Sequence, residues 1–266
     1  MDKQTTSNYA TSTRSFFCFR FWRLSILFLG TVCGAYLNGD NFEPREPNSV
    51  LQFIQQIGVN YYGGWDSHYY SEGRDNLDGG SLITNDVQLN WKFITGELWY
   101  VASPGQSYDE LQAILALSQS INNLSFYATY THLQFPSDNL NDDEVGAGIS
   151  LSGLPANLQL AVDAYYSFVA DGSFAELSAA QSFAITESLS VTGTGIFGIN
   201  QNYISDGHDS ANHVALRLES MYMISESIAL MAQITQSWEI DRDKTLPGDD
   251  PLVDLFYGSI GIQWSL

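Results

Sequence analysis

The segment HDSAN, residues 208–212, places His208 two residues before Ser210. Such a pair could do nucleophilic chemistry, because a nearby base must accept the hydroxyl proton before a serine can attack. However, the surrounding sequence ISDGHDSAN is rich in glycine and aspartate, which predicts a loop, and a loop holds neither base nor oxyanion donors in fixed positions. We therefore predict no catalytic residue, with hydrolysis by His208 and Ser210 as the weaker alternative.

The His-x-Ser spacing, with Asn212 nearby, resembles that of outer-membrane phospholipases, which use such a pair on one strand of a barrel of comparable size. In those enzymes Asn-Gly follows the serine, whereas Ala211 and Asn212 follow it here. The resemblance implies phospholipid hydrolysis as the alternative activity.

Two acidic segments have aspartate spacings similar to those of calcium loops: DNLDGG at residues 75–80 and DRDKTLPGDDP at residues 241–251. Neither has the closing glutamate of an EF-hand, and the sequence contains no HExxH or phosphate-cradling motif. We predict that both segments are solvated loops and that the protein uses no metal and no cofactor.

The first 35 residues have the composition of a signal peptide. Arginines precede an uncharged apolar run that begins at Leu24, is too short to span a membrane comfortably, and ends in small residues near Ala35. An uncleaved signal anchor is the alternative. Both cysteines, Cys18 and Cys33, lie in this segment, so a chain cleaved after Ala35 contains no disulfide and no thiol chemistry.

Charge excludes one class of partner. Of the 10 basic and 30 acidic residues, four and one lie before residue 36, which leaves six and 29 and a net charge of −23. Nucleic acid is therefore excluded, because phosphate binding needs clustered lysine and arginine. Residues 36–56 are predicted to be a short periplasmic segment, and residues 57–266 one domain, because no linker composition interrupts them.

From residue 57 onward, apolar residues alternate with small or polar ones, and each alternating segment ends at a turn signal. A period of two predicts strands with one apolar face, and no stretch shows a helical period. Twelve strands are predicted, at residues 57–71, 81–92, 94–103, 109–121, 123–134, 143–153, 157–170, 174–186, 188–203, 211–225, 227–240 and 254–266.

The connections between these strands alternate between long acidic loops and tight turns, with ADGS as the short exception among the loops. This alternation is typical of an antiparallel up-and-down barrel in an outer membrane, with long loops outside and short turns in the periplasm. Both termini are then periplasmic.

The polarity of the two strand faces distinguishes a membrane barrel from a soluble one. The apolar faces carry almost no charge, and charged residues make up only 15% of the chain. An apolar outer face and a polar lumen are typical of a transmembrane barrel, whose outer partner is lipid. Aromatic residues near the strand ends suit the two interfacial girdles: Trp91, Tyr100, Tyr130, Tyr166, Trp238 and Trp264.

The last eleven residues, FYGSIGIQWSL, form an alternating strand with no tail after it. A closed barrel pairs its last strand with its first, which explains a strand at this position. The strand also resembles the signal read by the bacterial barrel-insertion machinery, although Trp264 lies third from the end where many such strands end on Phe. The signal residues are Phe256, Gly258, Ile260, Ile262, Trp264 and Leu266.

The segment WDSHYYSEGRDNLDGGSLITNDVQLNWKFITGELWY contains a Ser-x-Tyr, a following glycine and an Asp-rich loop before a paired strand. These residues resemble the opening of the TorF-like porin family, bacterial outer-membrane β-barrels of unassigned substrate. The matching positions are Ser67, Tyr69, Gly73, Asp75, Asp78, Asp86, Trp91 and Trp99. The resemblance covers most of residues 57–266; it implies an outer-membrane channel and no catalytic residues.

The inward faces predict the function. Carboxylates outnumber basic side chains along them, and a carboxylate-lined narrow pore attracts cations. We therefore predict an outer-membrane channel for cations and small polar solutes, with a filled, non-conducting barrel that displays its loops as the alternative. The lumen-lining and selectivity candidates are Asp66, His68, Asp86, Glu97, Asp163, His213, Arg217 and Glu219.

Overall fold

The structure, a computed structural model, describes residues 57–266 as a closed antiparallel barrel of twelve strands. A further pair of two-residue strands lies in the first long loop. The signal peptide predicted at residues 1–35 and the segment predicted at 36–56 lie outside the described residues. The strands are Gly58–Asp66 (β1), Tyr70–Ser71 (β2), Arg74–Asp75 (β3), Leu82–Trp91 (β4), Ile94–Ala102 (β5), Asp109–Ile121 (β6), Leu124–Phe135 (β7), Leu140–Leu151 (β8), Leu158–Ser167 (β9), Gly172–Ala184 (β10), Leu189–Gln201 (β11), Ser210–Met223 (β12), Ile228–Glu239 (β13) and Leu255–Ser265 (β14).

Each barrel strand pairs with the next one along the chain, and β14 closes the barrel against β1, where Tyr62 lies opposite Gln263. Closure leaves no strand edge unpaired, which satisfies the backbone hydrogen bonds of every strand in the wall. The predicted all-β up-and-down barrel, and the pairing of the last strand with the first, are confirmed.

The two ends of the barrel differ. The long-loop end carries residues 67–81 (loop L1), 103–108, 136–139, 168–171, 202–209 (loop L5) and 240–254 (loop L6), and the turn end carries the other connections and both ends of the described chain. The predicted alternation of loop length is wrong at two places. Residues 136–139 form only a short turn because β8 begins at Leu140, and the connection at residues 152–157 is the longer one.

All twelve predicted strands exist, but the first one is too long. It was predicted to run to Ser71, whereas β1 ends at Asp66. The Ser67 amide still donates to the Gly258 carbonyl, at 2.8 Å, and the chain then turns away from the wall. The following residues, His68 to Ser71, were included in the predicted strand and instead fold into the barrel.

The outer face of the barrel is apolar. Leu115, Leu216 and Ile260 point outward and remain 52%, 60% and 60% exposed, while their neighbours along each strand are polar or small and point inward. This is the inverse of a water-soluble barrel, whose apolar residues fill the interior. Within residues 57–266, no helix has both the length and the apolar character needed to span a membrane.

Candidate functional site

Loop L1 fills the long-loop end of the barrel. The side chains from Tyr69 to Arg74 are buried, although several are polar: Tyr69 and Arg74 are each 1% exposed, and Tyr70 and Glu72 are buried as well. The short strands β2 and β3 pair with each other, with Tyr70 opposite Asp75, and give the loop a hairpin core. L1 therefore lies inside the barrel as an ordered segment rather than above it as a solvated loop.

One side of L1 packs against the wall formed by β4 to β7. The Tyr69 ring lies 5.2 Å from that of Tyr108, and the Tyr69 hydroxyl donates to Glu110 Oε2 at 2.8 Å. Burial of aromatic and aliphatic surface holds this side in place. The cluster comprises Tyr69, Leu77, Leu82, Trp99, Val101, Tyr108, Leu133 and Phe135.

The other side of L1 contacts the opposite wall. Tyr70 stacks on Tyr257 of β14 with ring centroids 4.6 Å apart, and its hydroxyl donates to Ser237 Oγ of β13. L1 thus spans the lumen from the Glu110 side to the β13–β14 side. A solute entering from the long-loop end meets this segment first.

Glu72 is the acidic residue at the centre of L1. Its Oε1 accepts a hydrogen bond from the Tyr165 hydroxyl at 2.7 Å, and its carbonyl accepts from Arg74 Nη1 at 2.9 Å. Burial, with the charge of Glu144 adding to it, raises the pKa of Glu72 from 4.5 to about 8. The side chain is therefore mainly protonated at neutral pH while L1 lies in the barrel.

Arg74 and Asp249 join L1 to L6. Arg74 Nη2 donates to Asp249 Oδ1 at 2.9 Å, and both side chains are buried at 1% and 0% exposure. Arg74 also donates to the Gly248 carbonyl at 2.8 Å and to Asn212 Oδ1 at 2.7 Å. Every one of these partners lies more than 130 residues away in sequence, so the guanidinium ties L1 to L6 and to β12.

Asp249 also contacts L5. His208 Nδ1 lies 2.6 Å from Asp249 Oδ2, and the Asp243 amide donates to the same oxygen at 2.9 Å. Burial acts to raise the pKa of Asp249, but hydrogen bonds from Asp243 and His208, together with the charge of Arg74, hold it below its usual range. The prediction that the segment at residues 241–251 is simply solvated is therefore wrong at Asp249.

Below L1, the inward faces carry most of the predicted lumen residues in two groups. The first group lies on β4 and β5, where Gln88 Nε2 donates to Asp86 Oδ2 at 3.3 Å and to Glu97 Oε2 at 3.1 Å. Asp66 lies next to this group at the end of β1 and accepts from Thr84 Oγ1 at 2.9 Å. These carboxylates accept hydrogen bonds from amide and hydroxyl donors.

The second group lies on β9 to β12. Asp163 accepts a hydrogen bond from the Tyr127 hydroxyl, and His213 Nε2 lies 3.7 Å from Glu176 Oε1. Arg217 and Glu219 follow His213 on the same inward face of β12, close enough for their charges to interact. The predicted inward orientation of His213, Arg217 and Glu219 is observed, and β12 keeps it through a register shift between Gly198 and Ile199 of β11.

Two glycines make room for this second group. A Cβ at Gly148 would lie 2.3 Å from Asp163 Oδ1, and a Cβ at Gly198 would lie 2.4 Å from the His213 ring. Any larger residue at either position would displace a charged or titratable side chain.

His68 differs from the other predicted lumen residues. It lies in L1 beside the barrel wall rather than on a strand face, and its Nδ1 is 3.1 Å from Ser67 Oγ. Lys92, in the turn between β4 and β5, lies over the outward-facing Trp91, with Nζ 4.8 Å from the ring centroid. The basic charge at this turn therefore faces away from the pore.

Sequence reasoning missed the residues that hold L1 in the barrel: Tyr70, Glu72 and Arg74 in L1, and Asp249, the partner of Arg74. One signal was available, because Arg74 is among few basic residues in a strongly acidic chain. A lone arginine in the acidic run EGRDNLDGG needs a partner if it is buried.

The predicted girdle and insertion-signal residues lie on outward faces of the wall. Trp91 and Trp264 lie near the turn end, whereas Tyr100, Tyr166 and Trp238 lie near the long-loop end. Tyr130 lies further along β7, and its hydroxyl donates to Asp143 at 2.7 Å. Their interfacial roles remain predictions, as does the insertion signal. Its residues on the outer face of β14 and just after it are Phe256, Gly258, Ile260, Ile262, Trp264 and Leu266.

The HDSAN segment has a structural role in the loops. His208 Nδ1 contacts Asp249, and its Nε2 lies 2.9 Å from the Ala211 carbonyl oxygen, so neither ring nitrogen is free to accept a proton from Ser210. Ser210 is the first residue of β12 rather than a loop residue, and Asn212 is buried beneath Arg74. Within the part of the chain that the structure describes, no group of three or more His, Cys, Asp or Glu side chains could hold a metal ion.

Solved structures share this architecture at low sequence identity. The NanC porin aligns with a TM-score of 0.52 and 11% identity over 78% of this chain and 100% of that chain. The KdgM porin aligns with a TM-score of 0.51 and 8% identity over 79% of this chain and 99% of that chain. This is the fold of porin-like outer-membrane barrels.

The fold is shared beyond proteins named as porins. LpxR from Salmonella typhimurium aligns with a TM-score of 0.52 and 8% identity over 77% of this chain and 99% of that chain. Such likenesses show the fold alone. No family model and no curated protein matches the sequence, so membership of the TorF-like porins remains a prediction.

Proposed function

We propose that this protein is a bacterial outer-membrane channel that favours cations and small polar solutes, and that L1 restricts passage at its long-loop end. The fold shared with the NanC and KdgM porins supports the channel role, and the apolar outer face supports a place in the membrane. Barrel insertion then relies on β14, and both chain termini are periplasmic.

The charge of the lumen wall is the observation that carries the cation preference. On the barrel strands that the structure describes, Arg217 is the one inward-facing lysine or arginine. The inward carboxylates on the same barrel strands include Asp66, Asp86, Glu97, Glu110, Glu144, Asp163, Glu176 and Glu219.

A wall rich in carboxylates attracts cations, and the lower effective permittivity of a narrow lumen strengthens this attraction. In a narrow and partly dehydrated lumen, a carboxylate attracts a cation more strongly than it would in bulk water. Solvent-exposed acidic side chains in the loops add a weaker attraction that salt screens beyond roughly 10 Å at 0.1 M.

Access to the lumen differs between the two ends of the barrel. Inward side chains near the turn end are small, polar and at least partly exposed, among them Ser118, Ser125 and Thr192. At the long-loop end the lumen is occupied by L1. This asymmetry supports a channel that is restricted at its long-loop end.

We expect single-channel currents in a planar bilayer under a salt gradient to reverse at a cation-directed potential. Neutralising two inward carboxylates, with Asp163→Asn and Glu219→Gln, should move the reversal potential towards zero, because each removes a negative charge from the narrow wall. The charge-matched control is Glu187→Asn together with Glu226→Gln on the exposed turns, which should leave the potential unchanged.

Anion-directed reversal would overturn the proposal. The non-conducting alternative is favoured by the depth at which L1 is buried, and it predicts no current from either the wild-type barrel or a barrel from which L1 has been released.

A further inference from the structure

Four carboxylates meet where the inner side of L1 faces β8, β9 and β10. Glu72 comes from L1, Glu144 from β8, Asp163 from β9 and Glu176 from β10. Glu72 is close enough to Glu144 for their charges to repel, and Glu176 is close enough to both Glu72 and Asp163. We name these four residues the acidic cluster.

Tyrosine hydroxyls hold three of the four carboxylates. Tyr165 donates to Glu72 Oε1 at 2.7 Å, Tyr203 donates to a Glu144 oxygen, and Tyr127 donates to an Asp163 oxygen. Each hydroxyl has one proton to give, so it fixes one carboxylate oxygen in position. Three of the four members therefore accept hydrogen bonds from neutral donors.

Glu176 is the member without such a donor. It is 4% exposed, and its Oε2 accepts no hydrogen bond from any residue that the structure describes. Its Oε1 lies 3.7 Å from His213 Nε2, too far for a hydrogen bond. Buried polar oxygens are nearly always hydrogen-bonded in native proteins, so Glu176 Oε2 is the oxygen of the cluster that can accept a donor from a ligand.

The charges around the cluster favour a cationic donor. Arg217 interacts with Glu176, but it is shared with Glu219, and Arg74 is committed to Asp249. Neither basic residue is therefore dedicated to Glu176 or Asp163. The spacing of these carboxylates does not form a direct metal site among residues 57–266.

The wall between the turn end and the cluster includes several small inward side chains. Ala161, Ser178, Ala180 and Thr194 face inward there and are partly exposed, beside the larger Ile196 and Arg217. Small residues leave room for a slender ligand to reach Asp163 and Glu176 from that end, while L1 closes the other.

We propose that the acidic cluster binds a small organic cation with protonated amino groups, which donates hydrogen bonds to Glu176 and Asp163 beneath L1. The proposal rests on the proposed channel function for its biological meaning, because it names the class of solute that the lumen takes up. An ammonium group has three hydrogen-bond donors and one positive charge, so it can bind carboxylate oxygens such as Glu176 Oε2. A diamine can serve two carboxylates of the cluster at once.

Binding of 1,4-diaminobutane to the full-length barrel in detergent, measured by isothermal titration calorimetry, tests this proposal without any current. We expect saturable binding by the wild-type protein and none of the neutral analogue 1,4-butanediol. Glu176→Gln should weaken binding by about tenfold or more, because it removes a charge-assisted hydrogen bond. Asp163→Asn is the second variant, should Glu176→Gln fail to give the heat-modifiable band of a folded barrel.

Glu97→Gln is the matched control. It removes one buried inward carboxylate from the opposite wall, where Gln88 already serves as donor. It should change the affinity for the diamine by less than about twofold, since its charge lies outside the cluster. Equal weakening by Glu97→Gln and Glu176→Gln would overturn the proposal in favour of diffuse attraction by the lumen, and so would absence of binding by the wild-type protein.

The two proposals fail separately. A barrel that binds the diamine but carries no current contradicts the channel function and keeps the site. A cation-selective barrel that does not bind the diamine contradicts the site and keeps the channel.

Discussion

Replacing Arg74 with alanine is expected to release L1 from the barrel while the wall stays folded. The substitution leaves Asp249 buried without its guanidinium partner and removes the donor to Gly248 and Asn212. Removing one partner of a buried ion pair costs about 3–5 kcal/mol. We expect a cost near the lower value, because His208 still contacts Asp249. The ratio of closed to released L1 should fall by about a hundredfold or more.

A single cysteine in L1 reports this release. In a chain with Cys18 and Cys33 replaced by serine, Ser71→Cys is buried while L1 is closed, so a thiol reagent reacts with it only after L1 leaves the barrel. We expect Arg74→Ala to accelerate labelling by about a hundredfold and to raise single-channel conductance. Strand-dominated circular dichroism should not change, because the twelve wall strands pair independently of L1.

Lys244→Ala is the control for loss of a basic residue from the same group of loops, because Lys244 is exposed in L6. It should leave the labelling rate within about twofold, as surface charges contribute little. Unchanged labelling in Arg74→Ala would show that the tyrosine contacts alone keep L1 closed.

The sequence predicted the wall of this barrel well because its information is local. Each strand repeats an apolar residue every second position, and the turns carry residues such as Lys92 and Asn122 that adopt the left-handed conformation at φ 54° and 55°. A period of two also assigns each side chain to a face, so the inward placement of Asp86, Asp163 and Glu219 follows from the alternation.

The packing of L1 at the long-loop end could not be predicted in the same way because its contacts are long-range. Arg74 and Asp249 are 175 residues apart, and Tyr70 and Ser237 are 167 residues apart. Nothing in the local sequence selects one aspartate among many as the partner of an arginine. Tyr69 and Tyr70 even favour the wrong element, because tyrosine is common in strands and nothing in the local sequence marks Asp66 as the end of β1.

Burial of Glu72 makes the closure of L1 depend on pH. Glu72 in the closed barrel has a pKa raised from 4.5 to about 8 by burial and by Glu144, while Arg74 acts in the opposite direction. Released into water, the same side chain returns to about 4.5. The other titratable groups around the inserted loop are Tyr70, Asp75, Glu110, Glu144, Tyr165, Glu176, His208, His213 and Asp249.

The sign of the effect follows from where the proton is held. Closed L1 keeps the Glu72 proton up to about pH 8, whereas released L1 loses it above about pH 4.5. The contribution of Glu72 to closure is therefore fully present below about pH 4.5 and is lost as the pH rises to about 8. Within this window, closure weakens by about tenfold for each pH unit, or about 1.4 kcal/mol.

Labelling of Ser71→Cys from pH 5 to pH 8 should therefore rise by roughly a hundredfold or more, relative to the exposed reference Asp78→Cys, whose rate corrects for ionisation of the thiol itself. Glu72→Gln should remove most of this rise, because glutamine still accepts from Tyr165 and has no proton to lose. Glu187→Gln, on an exposed turn at the other end, should keep the wild-type profile. A rise of equal size in Glu72→Gln would assign the pH dependence to another group, whereas a flat wild-type profile would mean that Arg74 and the tyrosine contacts keep L1 closed whether or not Glu72 is charged.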